Sequence, residues 1–176
     1  MHGNLPFLPG EYRESTGDNA IDLDARLGEE FHYPSPGNPM RTYRLVKTHA
    51  SAFAWAKKLA IWSSDSTHVI TPCTTAGQVA AGIVDDQIPA ATSVPAAAYV
   101  LAHILGRCTG VQGNDTGAYC TDGEYATADD DTDTGKLKGT ATWAHRDTFA
   151  VVIGATATVV DQDVSLEIVD KLGAAA

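Results

Sequence analysis

Residues 134–160, TGKLKGTATWAHRDTFAVVIGATATVV, carry the strongest signal of fold class in this chain. Thr134-Gly135 ends an acidic run and reads as a turn. After it Leu137, Gly139, Ala141 and Trp143 alternate with Lys138, Thr140 and Thr142, the period of two of a half-buried strand. A second turn follows at His145-Arg146-Asp147. Phe149 to Val160 then runs apolar and β-branched, interrupted only by Gly154. A turn-bounded run rich in Val, Ile and Thr suits a strand buried on both faces better than a helix. Gly154 predicts a bulge or a close backbone approach. The stretch reads as the closing half of a small β-barrel or sandwich. No residue in it is an evident nucleophile, base or ligand.

The same pattern recurs upstream and downstream. RTYRLVKT at 41–48 reads as a strand, as do Leu59–Trp62, His68–Thr71 and Gln78–Val84, the last ended by Asp85-Asp86. ASAFAWAKKLA at 50–60 is taken as extended, although its composition also permits a short helix. VPAAAYVLAHILGRCTGV at 94–111 has helical propensity over Ala96–Leu105. Against that, Tyr99, Leu101, His103 and Leu105 alternate with Val100, Ala102 and Ile104. With Gly106 and Gly110 following, the expectation is strand, turn, strand. Short strands at 118–120 and Val164–Val169 complete the set, with turns at 63–66, 113–117 and 121–123. The predicted fold class is mainly β: a small β-barrel or sandwich over residues 41–170, with an extended N-terminal arm at 1–40 and a C-terminal tail at 171–176.

The arm stands apart in composition. Pro6, Pro9, Pro34, Pro36 and Pro39 are five of the eight prolines, and apolar residues there are isolated. Such a segment has no core of its own. One short strand is expected at Glu30–Tyr33, followed by a Pro-Gly turn at 36–37. The spaced anchors Leu5, Phe7, Leu8, Tyr12, Ile21, Leu23, Leu27 and Tyr33 favour a tether that orders on a neighbouring subunit over a tail that frays.

A length of 176 residues suits one domain, and 44% hydrophobic residues supply a core. Only 19% are charged, and the net charge is −10. That balance argues against a nucleic-acid partner, since phosphate binding needs a positive field. The longest apolar runs, such as 94–105, are too short and alanine-rich to span a membrane. Cys73, Cys108 and Cys120 share no CxxC or Cys/His spacing, which disfavours zinc and points to buried reduced thiols in a cytoplasm.

No motif commits the chain to a reaction. The six histidines form neither HxH nor HxxxH, and GxSxG, P-loop and dinucleotide patterns are absent. His103 reads as a hydrogen-bonded core or interface residue. Asp85-Asp86 suggests an acid/base pair, but a turn is the simpler reading. Asp129, Asp131 and Asp133 place carboxylates at alternate positions, as calcium loops do. The glycine falls at loop position 7 and Thr140 stands at position 12, so the EF-hand pattern is not met. A solvated hairpin loop is favoured. No cofactor is expected.

Three stretches resemble a known family, the small β-barrel capsid decoration (cement, head-stabilising) proteins of tailed bacteriophages. They are TYRLVK at 42–47; QVAAGIVDD at 78–86 with PAAAYVLAHILGRCTGV at 95–111; and DTGKLKGTATWAHRDTFAVVIGATATVV at 133–160 with DVSLEIV at 163–169. The chain departs from the pattern in its proline-rich first forty residues, its alanines around 90–102 and its acidic loop. The resemblance implies a non-enzymatic virion protein, made in the host bacterial cytoplasm. It would bind the outer surface of the major capsid protein lattice, often as a trimer. An expectation of another class is a calcium-dependent surface- or carbohydrate-binding β module, motivated by Asp129–Asp133; a small hydrolase is remote.

Overall fold

Arg41–Thr48 (β2) carries large side chains at both of its alternating sets of positions, so neither face can be left in water. Every residue of it but Lys47 is buried. The computed structural model describes residues 5–16, 19–34, 40–50, 57–64, 67–72, 80–85, 87–89, 94–113, 120–128, 136–142, 148–155 and 163–168. Before β2 lie a helix, α1 (Asn19–Ala25), and a strand, β1 (Glu30–Tyr33). After it come β3 (Leu59–Ser64), β4 (Val69–Pro72), β5 (Ala80–Val84), β6 (Tyr99–Gln112), β7 (Tyr125–Ala128), β8 (Leu137–Thr140), β9 (Thr148–Ala155) and β10 (Asp163–Ile168). The protein is mainly β, and among the described residues ten strands form one sheet.

The pairings close on themselves. β2 pairs in parallel with β4; β4 with β3, β3 with β5, β5 with β6 and β6 with β2 are antiparallel. A second circuit runs β6, β10, β9, β7, β8, all antiparallel. One parallel bridge, Gly113 to Leu137, returns it to the residue after β6. β6 serves both circuits: residues 99–105 pair with β2 and residues 106–112 with β10. The sheet is thus barrel-like, two strand rings sharing one 14-residue strand.

That strand corrects the expectation of strand, turn, strand over 94–111. Gly106 (φ 95°) and Gly110 (φ 70°) supply a bend and a bulge inside one strand, not a chain reversal. Val111 pairs with Val164 and Cys108 with Leu166, so one extra β6 residue is inserted at 109–110. The insertion changes parity. Val100, Ala102, Ile104 and Cys108 point into the main core at even positions, and Val111 does so at an odd one. At Gly106 a β-carbon would lie 2.7 Å from the Met40 carbonyl oxygen, a close approach only glycine permits.

One core cluster joins the rings, from Val46, Leu59, Ile70 and Ile83 to Phe149, Val152, Val164 and Leu166. Along β9 burial is complete at Phe149 and Ala150 and then alternates, with Ile153 39% exposed. The strand is therefore not buried on both faces throughout: Ile153 faces outward, while Ala155 still packs against the core. A register shift against β10 falls beside Gly154.

Residues 5–16 and 19–34 also depart from expectation: they are not an outstretched arm. They fold back across β2 and β6 as a strap containing α1 and β1. β1 pairs with β2, Glu30 opposite Arg44 and Phe31 opposite Tyr43. The physical reason is the second face of the sheet. Tyr43, Leu45, Tyr99 and Leu101 point away from the main core, and the strap covers them with Phe7, Leu23 and Phe31. Each such side chain withdrawn from water stabilises the fold by ~1.5–3 kcal/mol.

Candidate partner-binding face

The strap is stitched to the sheet at points spread along its length. Arg13 and Tyr99 exchange two backbone hydrogen bonds, Arg13 N–H to Tyr99 O at 3.0 Å and Tyr99 N–H to Arg13 O at 2.8 Å. The Gly10 N–H donates to Asp85 Oδ2 at 2.7 Å, and the Gln87 N–H donates to Asp85 Oδ1 at 2.9 Å. Asp85 is buried, and its side chain serves as a turn-and-latch group; Asp86 lies outside the described residues. Further along, Arg44 Nη2 donates to Glu30 Oε1 at 2.7 Å, with the Arg44 side chain only 7% exposed. The guanidinium also stands 5.8 Å from the centroid of Trp62 on β3.

A seven-residue helix such as α1 is too short to persist alone. It is held by Leu23, which is buried, and by Asp24, whose carboxylate accepts a hydrogen bond from Lys47 Nζ at 3.0 Å. Lys47 Nζ also donates to Tyr99 Oη at 3.4 Å and lies 4.8 Å from that ring's centroid. Burial alone would raise the Asp24 pKa, but hydrogen bonds from Lys47 and Tyr99 and the Lys47 charge outweigh it, so the pKa is lowered. For Lys47 burial pulls down, and its bonds to Asp24 and Tyr99 prevail, raising the pKa. Burial pushes the Tyr99 phenol up, helped by Asp24 and opposed by Lys47. The triad is an electrostatic fastening of strap to sheet.

The expected partner anchors divide by this fold. Phe7 and Leu23 are buried against the chain's own sheet, and Leu5, Leu27 and Tyr33 are partly buried on the same cluster. Tyr12 packs against the main core. The side chain of Ile21 lies outside the described residues. Leu8 is 59% exposed. Most of these residues thus pack in cis, and among those with a described side chain Leu8 offers the largest fraction of its surface to a partner. Met40, also 59% exposed, was not singled out by sequence; an apolar residue between a proline and a strand gives no signal of where it points.

Between residues 6–13 of the strap and α1 opens a cleft of about 280 Å³, lined by Pro6, Arg13, Asp22, Leu23 and Arg26. Sequence reasoning passed over both arginines, since neither belongs to a motif. The Arg13 guanidinium lies 5.6 Å from the Phe7 centroid and that of Arg26 5.2 Å from Phe31.

The remaining candidates are placed as follows. Asp129, Asp131 and Asp133 lie outside the described residues; among those described, no group of three His, Cys, Asp or Glu could hold a metal ion. Cys108 and Cys120 are buried, and Cys73 lies outside the described residues. His103 is buried, its Nε2 2.9 Å from the Leu105 oxygen and its ring 4.9 Å from that of Tyr43. Among the described residues no helix is long and apolar enough to cross a membrane. No protein-family model, curated protein or solved structure matches the chain.

Proposed function

We propose that this chain is a structural virion protein that docks on the outer surface of an assembled major capsid protein lattice and stabilises the head. The observation that supports this reading is where the family-like stretches fall. TYRLVK lies in β2, QVAAGIVDD spans β5, PAAAYVLAHILGRCTGV runs through β6, and the two closing stretches hold β8, β9 and β10. The segments that resemble decoration proteins therefore hold the shared strand and part of each ring, with β3, β4 and β7 outside them.

The mechanism is linkage. A protein that binds only the expanded shell stabilises that state by its binding free energy, and many copies add their effects. Interfaces of ~1,000–2,000 Å² per site suffice. On this reading the chain acts as a trimer, at lattice positions on the virion exterior, and carries out no reaction. The strap belongs to the body of each subunit, and docking falls to its outer surface, around Leu8 and the exposed parts of Tyr12 and Tyr33.

The test is co-sedimentation of the purified chain with expanded and unexpanded heads of the phage that encodes it. Saturable binding to expanded heads, with the protein present in purified virions, is expected. Absence from virions together with no binding to either form overturns the reading.

A further inference from the structure

Among the described residues, carboxylates join the strap to the sheet at three separate places. Asp85, fully buried at the end of β5, takes the Gly10 N–H on Oδ2 at 2.7 Å and the Gln87 N–H on Oδ1 at 2.9 Å. Glu30 on β1 pairs with Arg44 on β2 at 2.7 Å, where the two side chains are 27% and 7% exposed. Asp24 on α1 pairs with Lys47 at 3.0 Å, beside the Tyr99 ring. Each contact uses the ionised acid. A neutral carboxyl turns one oxygen into a hydroxyl donor, so Asp85 would no longer offer a separate acceptor to each amide. Neutral Glu30 would remove the negative charge beside Arg44 in a site nearly closed to water, the costly way to break such a pair. The rest of the strap's hold is backbone bonding and a small apolar contact, Phe7, Leu23 and Phe31 over Tyr43, Leu45, Tyr99 and Leu101. Ordering the strap costs conformational entropy at every residue, and few apolar side chains offset it. The rings, by contrast, share the core that runs from Val46 to Ile168.

We propose that the strap is an acid-released cover: protonation of Glu30 and Asp85, aided by Asp24, lets it lift from β2 and β6 as a unit while both rings stay folded. Carboxylate fastenings hold above the acid range and are lost as pH falls through it. Asp24 has that sign, since its pKa is lowered in the folded chain, but at 51% exposure it is the minor member. Lys47 and Tyr99 face Asp24 from β2 and β6, and Arg44 faces Glu30 from β2. Lysine, arginine and tyrosine take up no further proton in acid, so these fastenings change through their carboxylates. Lys57 and Lys58 flank Asp85 through backbone bonds to Val84. Three histidines border the strap: His32, with Nδ1 3.0 Å from Thr42 Oγ1; His68, whose ring stands against Gly28; and His103, 4.9 Å from the Tyr43 ring. Histidines as a class titrate higher than carboxylates, so the pH at which the strap lifts tells the two apart. Lifting uncovers the apolar face of Tyr43, Leu45, Tyr99 and Leu101. Every group in the device belongs to this chain, so it works whatever the chain docks on.

The test follows backbone amide signals of the full chain by NMR as pH is lowered from neutral, with a hydrophobic dye as second readout. Between about pH 5 and about pH 3, the signals of Gly10, Leu23 and Phe31 should move to disordered positions. Those of Ile83, Val152 and Leu166 should keep their native shifts, while dye fluorescence rises several-fold. E30Q/D85N, which fixes both groups in a neutral form, should show the same lifted strap and native rings at neutral pH. Loss of strap and ring signals at one midpoint, or a strap still native at about pH 3, overturns the proposal. So does lifting centred at about pH 6–7, which would assign it to the histidines. A closed strap in E30Q/D85N at neutral pH overturns it too. Ring signals lost in that variant do the same, because the rings would then depend on the same carboxylates.

Discussion

The side chain of Asp85, at the end of β5, holds the backbone amide of Gly10 at 2.7 Å across 75 positions of sequence. The contact ties the strap to the ring at a buried point. The carboxylate serves a second amide, that of Gln87, at 2.9 Å. Asp85→Ala should therefore strand two amide donors and cost ~2–4 kcal/mol in urea unfolding. Amide exchange at Gly10 should rise to the rate of an open loop. An unchanged unfolding midpoint with Gly10 still protected would show that the latch is unimportant.

Gly106 and Gly123 form a matched pair. Their φ angles are 95° and 85°, so a side chain at either one is strained by a similar amount. They differ in what a β-carbon would meet: the Met40 carbonyl oxygen at 2.7 Å for Gly106, and nothing within 4 Å for Gly123. Gly123→Ala should cost ~1 kcal/mol, the left-handed penalty alone. Gly106→Ala should cost ~1–3 kcal/mol more, because a backbone atom must move. Equal losses in thermal melts would mean that β6 and the segment before β2 are less closely packed than described.

The Asp24–Lys47–Tyr99 fastening predicts a stability profile with two weak limbs. The Asp24 pKa is lowered from its ordinary 3.8, so its contribution is present above that pH and fades as pH falls through the lower folded value. The Lys47 pKa is raised from 10.5 and the Tyr99 pKa from 10.0, so both contributions fade as pH climbs past about 10. Asp24 is 51% exposed, which limits the acid limb to ~0.5 kcal/mol. Asp24→Asn should flatten that limb in a pH series of urea midpoints. A profile identical to the native one would remove Asp24 from the account.

Deleting residues 1–30 should not leave a quiet, well-folded body. It removes Phe7 and Leu23 from above Tyr43, Leu45, Tyr99 and Leu101. The truncated chain should bind a hydrophobic dye, melt well below the full chain and associate. A monodisperse truncation with the native melting temperature would restore the picture of an arm that orders only on a neighbour.

The contrast with that picture marks how far the residues could be read. RTYRLVKT became β2 and EFHY became β1, because alternation over a turn-bounded run is a local signal. The latch and the cleft are not local. Spaced apolar residues such as Phe7 and Leu23 say that a segment will cover something, but not whose sheet it covers. Gly106 and Gly110 suggest a chain reversal where the strand in fact bends and continues, for a related reason. A glycine announces an unusual φ, and only the neighbouring strands decide whether the chain turns back or bulges and continues. YATA at 125–128 gave too weak an alternation to stand out, and NAIDLDA becomes helical through the contacts of Leu23 and Asp24 rather than through its own propensity.

Because β6 runs unbroken through both rings, the two halves of the body are joined by a continuous backbone as well as by the core cluster they share. A pull on one half, such as a swelling container would exert, reaches the other along a peptide backbone that cannot shear.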